Sequence, residues 1–378
     1  MKTGKNESYA IEDMNESDEK IRFIQLKNSV GQSWLFPANE LRSSLSLFRP
    51  STRKGKLFKA ILPFLCENSL LLKLAKVKIC EVRLHPSIER IIFQSFGVSR
   101  FDFAIFEGSP GVHKKATLKV FCDDCVYGYC KIATTEEVMS IFKREAHILS
   151  VLKSCGVAGV PEVLYCGRSE NGAYLFIQST MMPNTTVMVD YNSRIVKDYV
   201  EQMNKKTAIS CTLDDSDFNC DVCKGLNMMH HLPKEDQMLL ADTVEMLRSR
   251  LVVSRMLFCA YHGDFTPWNS FVSSDGLFVF DWEYAKKSYP PLLDYFHYFT
   301  QSCIYDKRWS SSEIWSEYFK VKKRVLSDVS SCDLLYLCYL VSIILFYLNR
   351  DRGILNDIIG GCMSIWIDLI KKINKSLC

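Results

Sequence analysis

The stretch that most constrains this chain is His262-Gly263-Asp264-Phe265-Thr266-Pro267-Trp268-Asn269, followed by a short apolar run and Phe280-Asp281-Trp282-Glu283. Written as a pattern it is H-x-D-x-x-x-x-N, with a second aspartate twelve residues after the asparagine. An aspartate beside a hydroxyl can orient it and take its proton. An asparagine oxygen and a second carboxylate are hard donors of the kind Mg²⁺ accepts, an ion that takes few protein ligands and completes its shell with phosphate and water. The set works only on loops at the ends of short strands. The sequence predicts a strand over Met256 to Tyr261 leading into His262, and a hairpin turned at Gly276 whose return strand, Leu277 to Phe280, delivers Asp281. The plain alternative is a polar loop closing a β-hairpin.

At 378 residues the chain is long enough for two or three domains. Its 48% apolar and 24% charged residues describe a globular chain with a substantial core. A net charge of +4 is close to balanced and does not suggest a nucleic-acid binder built on bulk electrostatics. The first 20 residues are polar and acidic, read as a disordered tail without a secretory leader, so the sixteen cysteines are expected as free thiols in a reducing cytoplasm. Two C-x-x-C pairs occur, Cys122/Cys125 and Cys220/Cys223, and their distance in sequence argues against one shared zinc site. The longest apolar run, Leu334 to Leu348, falls short of the ~20 residues of a bilayer span and reads as a buried C-terminal helix.

Residues 21–95 read as an N-terminal extension of unknown role, packed on the domain C-terminal to it. Within it Arg49, Arg53, Lys54, Lys56 and Lys59 come without an acid among them, either a solvated face or a contact with anionic lipid or substrate. Helical stretches are expected at Leu57 to Leu65 and Leu70 to Leu74. Residues 96–182 carry strands at Phe101 to Phe106, Lys115 to Phe121 and Tyr127 to Ala133. The turn at Glu107-Gly108-Ser109-Pro110-Gly111 could offer backbone N–H groups to phosphates, or be a turn only. A helix comes next, with Thr134 as its cap and Glu137 at the third position, and an apolar stripe of Val138, Ile141, Phe142, Ile148, Leu149 and Leu152. Glu145 falls on that stripe and needs a partner there. Lys131, on the strand leading into the helix, is preferred over the rival Lys119.

Gly159-Val160-Pro161 opens a second hairpin turned at Asn171-Gly172, ending near a chain crossing at residues 178–182. From residue 183 the pattern is helical: Arg194 to Lys205, Asp215 to His231, Glu235 to Arg255, Glu313 to Val325, Cys332 to Asn349 and Asp357 to Ile373, with a local turn at Tyr289-Pro290-Pro291.

Taken together, His262-Gly263-Asp264…Asn269, Asp281-Trp282-Glu283 and the Lys131/Glu145 pair resemble the aminoglycoside phosphotransferase/choline kinase-like family of small-molecule kinases. The resemblance covers roughly residues 96–300. It implies an α+β, two-lobed protein-kinase-like fold: a small β-rich N-lobe (96–182), a mainly helical C-lobe (183–378) carrying the catalytic loop, and the N-terminal extension. It implies an ATP-dependent enzyme, GTP not being excluded, that phosphorylates a small-molecule hydroxyl: a sugar, an amino alcohol or a glycoconjugate precursor. Asp264 would be the catalytic base, and Asn269 and Asp281 would hold Mg²⁺. Lys131, steadied by Glu145, would hold nucleotide phosphate under the Gly108, Ser109, Gly111 turn. His262, Asp294 and His297 would brace the catalytic loop, and Glu283 is either an outer-shell group or a surface acid. No nucleic-acid partner and no transmembrane segment are expected, with peripheral membrane contact left open at the basic run. An atypical protein kinase is the rival enzyme, disfavoured by Trp282-Glu283 where such kinases carry Phe-Gly. A nucleotide-binding module that has lost catalysis is the rival non-enzyme.

Overall fold

The computed structural model describes residues 21–48, 50, 53–66, 78–108, 114–133, 135–181, 188–254, 257–273, 275–329 and 331–377. The chain divides into two compact units, one of residues 1–150 and 161–186, the other of 151–160 and 187–378. The expected tail, the Leu70 to Leu74 stretch, Arg49, Ser109, Gly111, Thr134 and Met182 lie outside the described residues.

The first unit is built on an eight-stranded antiparallel sheet. In chain order its strands are β1 (Arg22–Lys27), β2 (Ser33–Pro37), β3 (Lys78–Glu81), β4 (Asp102–Glu107), β5 (Lys115–Cys122), β6 (Cys125–Ala133), β7 (Val163–Arg168) and β8 (Tyr174–Ser179). In space they run β3-β1-β2-β4-β5-β6-β8-β7. Successive side chains leave a strand on opposite faces, so neighbours in sequence enter different cores. Phe23, Leu35 and Val120 join one cluster, closed by Ile88 and Ile92 of the helix Pro86–Phe96. Ile24, Phe36 and Phe121 join the other, under Leu41, Leu45 and Leu62.

Residues 21–95, expected as an extension packed on the domain C-terminal to it, contribute strands to this same sheet. Strand β2 pairs with β4, Leu35 opposite Ile105, so three of the eight strands precede residue 96. Strands covered on both faces read as unbroken apolar runs, which hid Trp34-Leu35-Phe36 as a strand.

The helix Glu136–Ser154 carries the stripe expected of it. Its start is one residue later than the sequence suggests: the Thr135 hydroxyl accepts from the Val138 N–H at 3.3 Å. Asn171-Gly172 turns the β7–β8 hairpin, with Gly172 at φ 87°.

The second unit is mainly helical: Arg194–Lys206, Asp217–Leu226, Lys234–Ser254, Leu293–Gln301, Ser311–Arg324, Cys332–Arg350 and Asp357–Leu377. Ser310 and Glu313 form a reciprocal capping box at the start of Ser311–Arg324. Cys332–Arg350 is long and apolar enough to cross a bilayer by length and composition, and 67% of its most apolar window is buried inside the structure.

Two short sheets interrupt the helices: β9 (Cys259–Tyr261) with β12 (Lys286–Tyr289), and β10 (Ser270–Ser273) with β11 (Gly276–Val279). Strand β12 lies just before the expected turn at Pro290-Pro291 and was not evident from sequence. Gly159 does not begin the β7–β8 hairpin. It sits at φ 70° against β11, its carbonyl accepting from the Val279 N–H at 2.7 Å. A Cβ at this position would lie 2.0 Å from the Leu277 carbonyl oxygen.

Candidate active site

The loop from His262 to Asn269 hangs between β9 and β10, and the return strand β11 ends one residue before Phe280. Pairing of Ser270 with Val279, extended by the Phe280 N–H donating to the Asn269 carbonyl at 3.0 Å, brings Asn269 and Asp281 to the same end of the hairpin. Asp281 adopts φ 69°, a left-handed conformation that Asp tolerates better than most residues. The chain therefore turns sharply as it delivers the second carboxylate. Trp282 is buried, its indole N–H donating to the Val279 carbonyl at 2.9 Å.

His262 ties the two halves of the motif together. Its Nδ1 accepts from the Asp264 N–H at 3.1 Å, which leaves the proton on Nε2 to donate to the Phe280 carbonyl at 3.1 Å. Complete burial lowers its pKa to about 4, so the ring is neutral, as this tautomer requires. One imidazole thus fixes the backbone at Asp264 and at the residue before Asp281.

Asp294 holds the loop from below. It lies in the first turn of the helix Leu293–Gln301 and accepts from the backbone N–H groups of His262 (2.8 Å) and Gly263 (3.2 Å). Burial pushes its pKa up to about 7, with the two N–H bonds pulling the other way. Gly263 is needed for two reasons: its φ is 83°, and a Cβ there would stand 2.8 Å from the Tyr284 carbonyl oxygen.

Asp264 itself has both carboxylate oxygens engaged. Oδ2 accepts from the Asn269 amide at 2.8 Å, and Oδ1 lies 3.3 Å from His297 Nε2. The same Asn269 amide donates to the Asp264 carbonyl at 3.0 Å. Both its partners are acceptors, which assigns the NH₂ group and leaves the amide oxygen as what Asn269 offers a cation. The His297 side chain is 2% exposed and that of Asp264 35%, so the carboxylate is anchored from the interior and open to solvent. Glu283 comes next, in a half-buried turn.

In the first unit, Lys131 Nζ donates to both oxygens of Glu145 at 2.8 and 3.0 Å. The side chains are 7% and 0% exposed. The rival Lys119 is also buried, but it donates to the Ser43 carbonyl and the Ser46 hydroxyl, both at 2.6 Å. The Gly108 N–H bonds the Lys115 carbonyl at 3.2 Å at the base of the expected phosphate turn. Among the described residues no group of three or more His, Cys, Asp or Glu side chains is placed to hold a metal. The donor set at Asn269 and Asp281, one amide oxygen and one carboxylate, fits an ion that takes the rest of its shell from phosphate and water.

Sequence reading missed the roles of Gly263 and Trp282, and it expected His297 to brace the loop without naming Asp264 as its contact. A glycine wedged between His262 and Asp264 was a signal for the first; nothing local marked Trp282.

No family model and no curated protein matches the chain. Solved structures to which it is similar include a thermostable mutant of an aminoglycoside phosphotransferase, at 12% identity over 75% of this chain and 98% of that one, TM-score 0.47. A putative fructosamine-3-kinase from Haemophilus somnus is 16% identical over 76% and 96%, TM-score 0.44. An amicoumacin kinase is 11% identical over 73% and 87%, TM-score 0.43.

Proposed function

We propose that this protein is a phosphotransferase moving the terminal phosphoryl group of ATP or GTP to a hydroxyl of a small molecule, most naturally a sugar, an amino alcohol or a glycoconjugate precursor. The observation that carries this reading is Asp264: a carboxylate one-third exposed, with Oδ1 set against His297 and Oδ2 against Asn269. A base held this way has one orientation to present, and positioning is the main thing phosphoryl transfer asks of a protein.

Each side chain has a role in this chemistry. Asp264 receives the proton of the acceptor hydroxyl as its oxygen bonds to phosphorus and the bond to the leaving diphosphate breaks. Asn269 and Asp281 are the residues that would hold Mg²⁺, which when bound offsets phosphate charge. Lys131 supplies a fixed positive charge for nucleotide phosphate, and Glu145 holds its ammonium in place. His262 and Asp294 keep the loop in the shape that aims Asp264. Gly108, Ser109 and Gly111 are proposed to close over the phosphates through backbone N–H groups.

The test is a metabolite mixture incubated with the purified protein, ATP and Mg²⁺, then analysed by mass spectrometry. A small molecule gaining the mass of one phosphoryl group is the expected result. A protein that gains thermal stability from ATP and Mg²⁺ but modifies nothing would be a binding module instead. Labelling of proteins rather than metabolites would make it a protein kinase.

A further inference from the structure

The helix Arg53–Cys66 carries two apolar stripes where a surface helix normally carries one. The first is used inside the protein: Leu62 is fully buried and Phe58 packs with it against Ile24, Phe36 and Phe121. The second, Leu57, Ile61 and Phe64, has the i, i+4, i+7 spacing of a single face and stands in solvent at 62%, 41% and 63% exposure. Anchoring by the first stripe fixes the second outward.

The charged residues of this helix have one sign. Arg53, Lys54 and Lys56 are exposed. At 100° per residue Arg53 and Lys54 fall on opposite margins of the apolar stripe, one turn before Leu57, and Lys56 lies farther round the helix. From Leu41 to Cys66 the sequence has six lysines and arginines and no aspartate or glutamate. A second copy of the chain would bring like charges together on this surface. A surface that is apolar in the middle, negative at its boundary and indefinitely wide satisfies both the stripe and its margins.

We propose that this helix docks the protein on an anionic lipid bilayer, lying in the interface with Leu57, Ile61 and Phe64 among the acyl chains and Arg53, Lys54 and Lys56 at the headgroups. The contact is peripheral and salt-sensitive, and it does not depend on the phosphotransfer reading.

The test is co-sedimentation of the full chain with vesicles of phosphatidylcholine alone, or of equal parts phosphatidylcholine and phosphatidylglycerol. The expected result is binding to the mixed vesicles only, weakened by added salt. The charge reversal Arg53→Glu/Lys54→Glu/Lys56→Glu should lower partitioning by about a hundredfold. The variant Leu57→Ser/Ile61→Ser/Phe64→Ser should lower it by about tenfold or more. All six side chains are exposed, so unchanged circular dichroism and melting are expected in both variants. If the serine variant failed to fold, the charge reversal would still decide the matter. No sedimentation with either vesicle would overturn the proposal, as would binding that neither variant alters. Self-association dispersed by the serine variant, without vesicle binding, would assign the face to a second copy and overturn it too.

Discussion

Two lysines are buried on neighbouring strands of one sheet, and they are used in opposite ways. Lys119 of β5 and Lys131 of β6 share a face, since Thr117 pairs with Lys131 and Lys119 with Tyr129. Lys119 donates to a carbonyl and a hydroxyl, neutral groups that bind the segment 43–46 to the sheet. Lys131 donates to both oxygens of a carboxylate that is itself fully buried. A fold that only needed to fill the Lys131 position could have used an apolar pair, because replacing a buried ion pair by hydrophobic residues is often neutral or stabilising by ~1–4 kcal/mol. Under the proposed function the pair keeps a charge that nucleotide phosphate would use, whereas Lys119 acts as a long hydrogen-bonding clamp.

The sharpest way to break this comparison is the double substitution Lys131→Met/Glu145→Leu. The expected outcome is stability near that of the parent in denaturant melts and a loss of phosphotransfer of ~10²–10³-fold, the scale on which a missing charge stabiliser is felt. If the double variant kept full activity, the pair would be structural and the two lysines equivalent. Lys119→Met should do the reverse: a loss of ~1–3 kcal/mol in stability, from the buried groups left without a donor, with kcat unchanged. A fall in kcat without loss of stability would invert the assignment.

The smallest expected effect concerns Asp294, the carboxylate that holds the loop from His262 to Asn269. Asp294 faces backbone N–H groups, as Lys119 faces neutral acceptors, and burial raises its pKa from 3.8 to about 7. The folded state therefore binds a proton there more tightly than the unfolded chain does. The stability this contributes is full below pH 3.8 and is lost as pH rises through about 7. Asp294→Asn should flatten that decline in a series of denaturation midpoints against pH, and a slope unchanged by the substitution would refute the assignment.

The site was more legible in the sequence than the sheet was. Glu145 on an apolar stripe and Lys131 on the strand leading into that helix are fourteen residues apart, so periodicity alone could propose their meeting. His262, Asp264 and Asn269 lie within eight residues and are shaped by local turns. Strand pairing is a different matter. Arg22 pairs with Glu81 and Leu35 with Ile105, contacts between distant segments that no local pattern records, and in β2 and β4 burial of both faces also erases alternation. The partner of His297, which was expected only to brace the loop, was hidden for a related reason. Every residue of Leu293–Gln301 is buried, so no polar face shows which side chain meets Asp264.

The resting point of the proposed chemistry is one carboxylate, and one substitution isolates it. Asp264→Asn preserves size and one oxygen acceptor while removing the base, so nucleotide-dependent thermal stabilisation should survive. With the acceptor found by the metabolite screen, single-turnover phosphoryl transfer should fall by ~10²–10⁴-fold, the range of a lost general base. Transfer at near the parent rate by a folded, nucleotide-binding Asp264→Asn protein would contradict the assignment of Asp264 as the catalytic base.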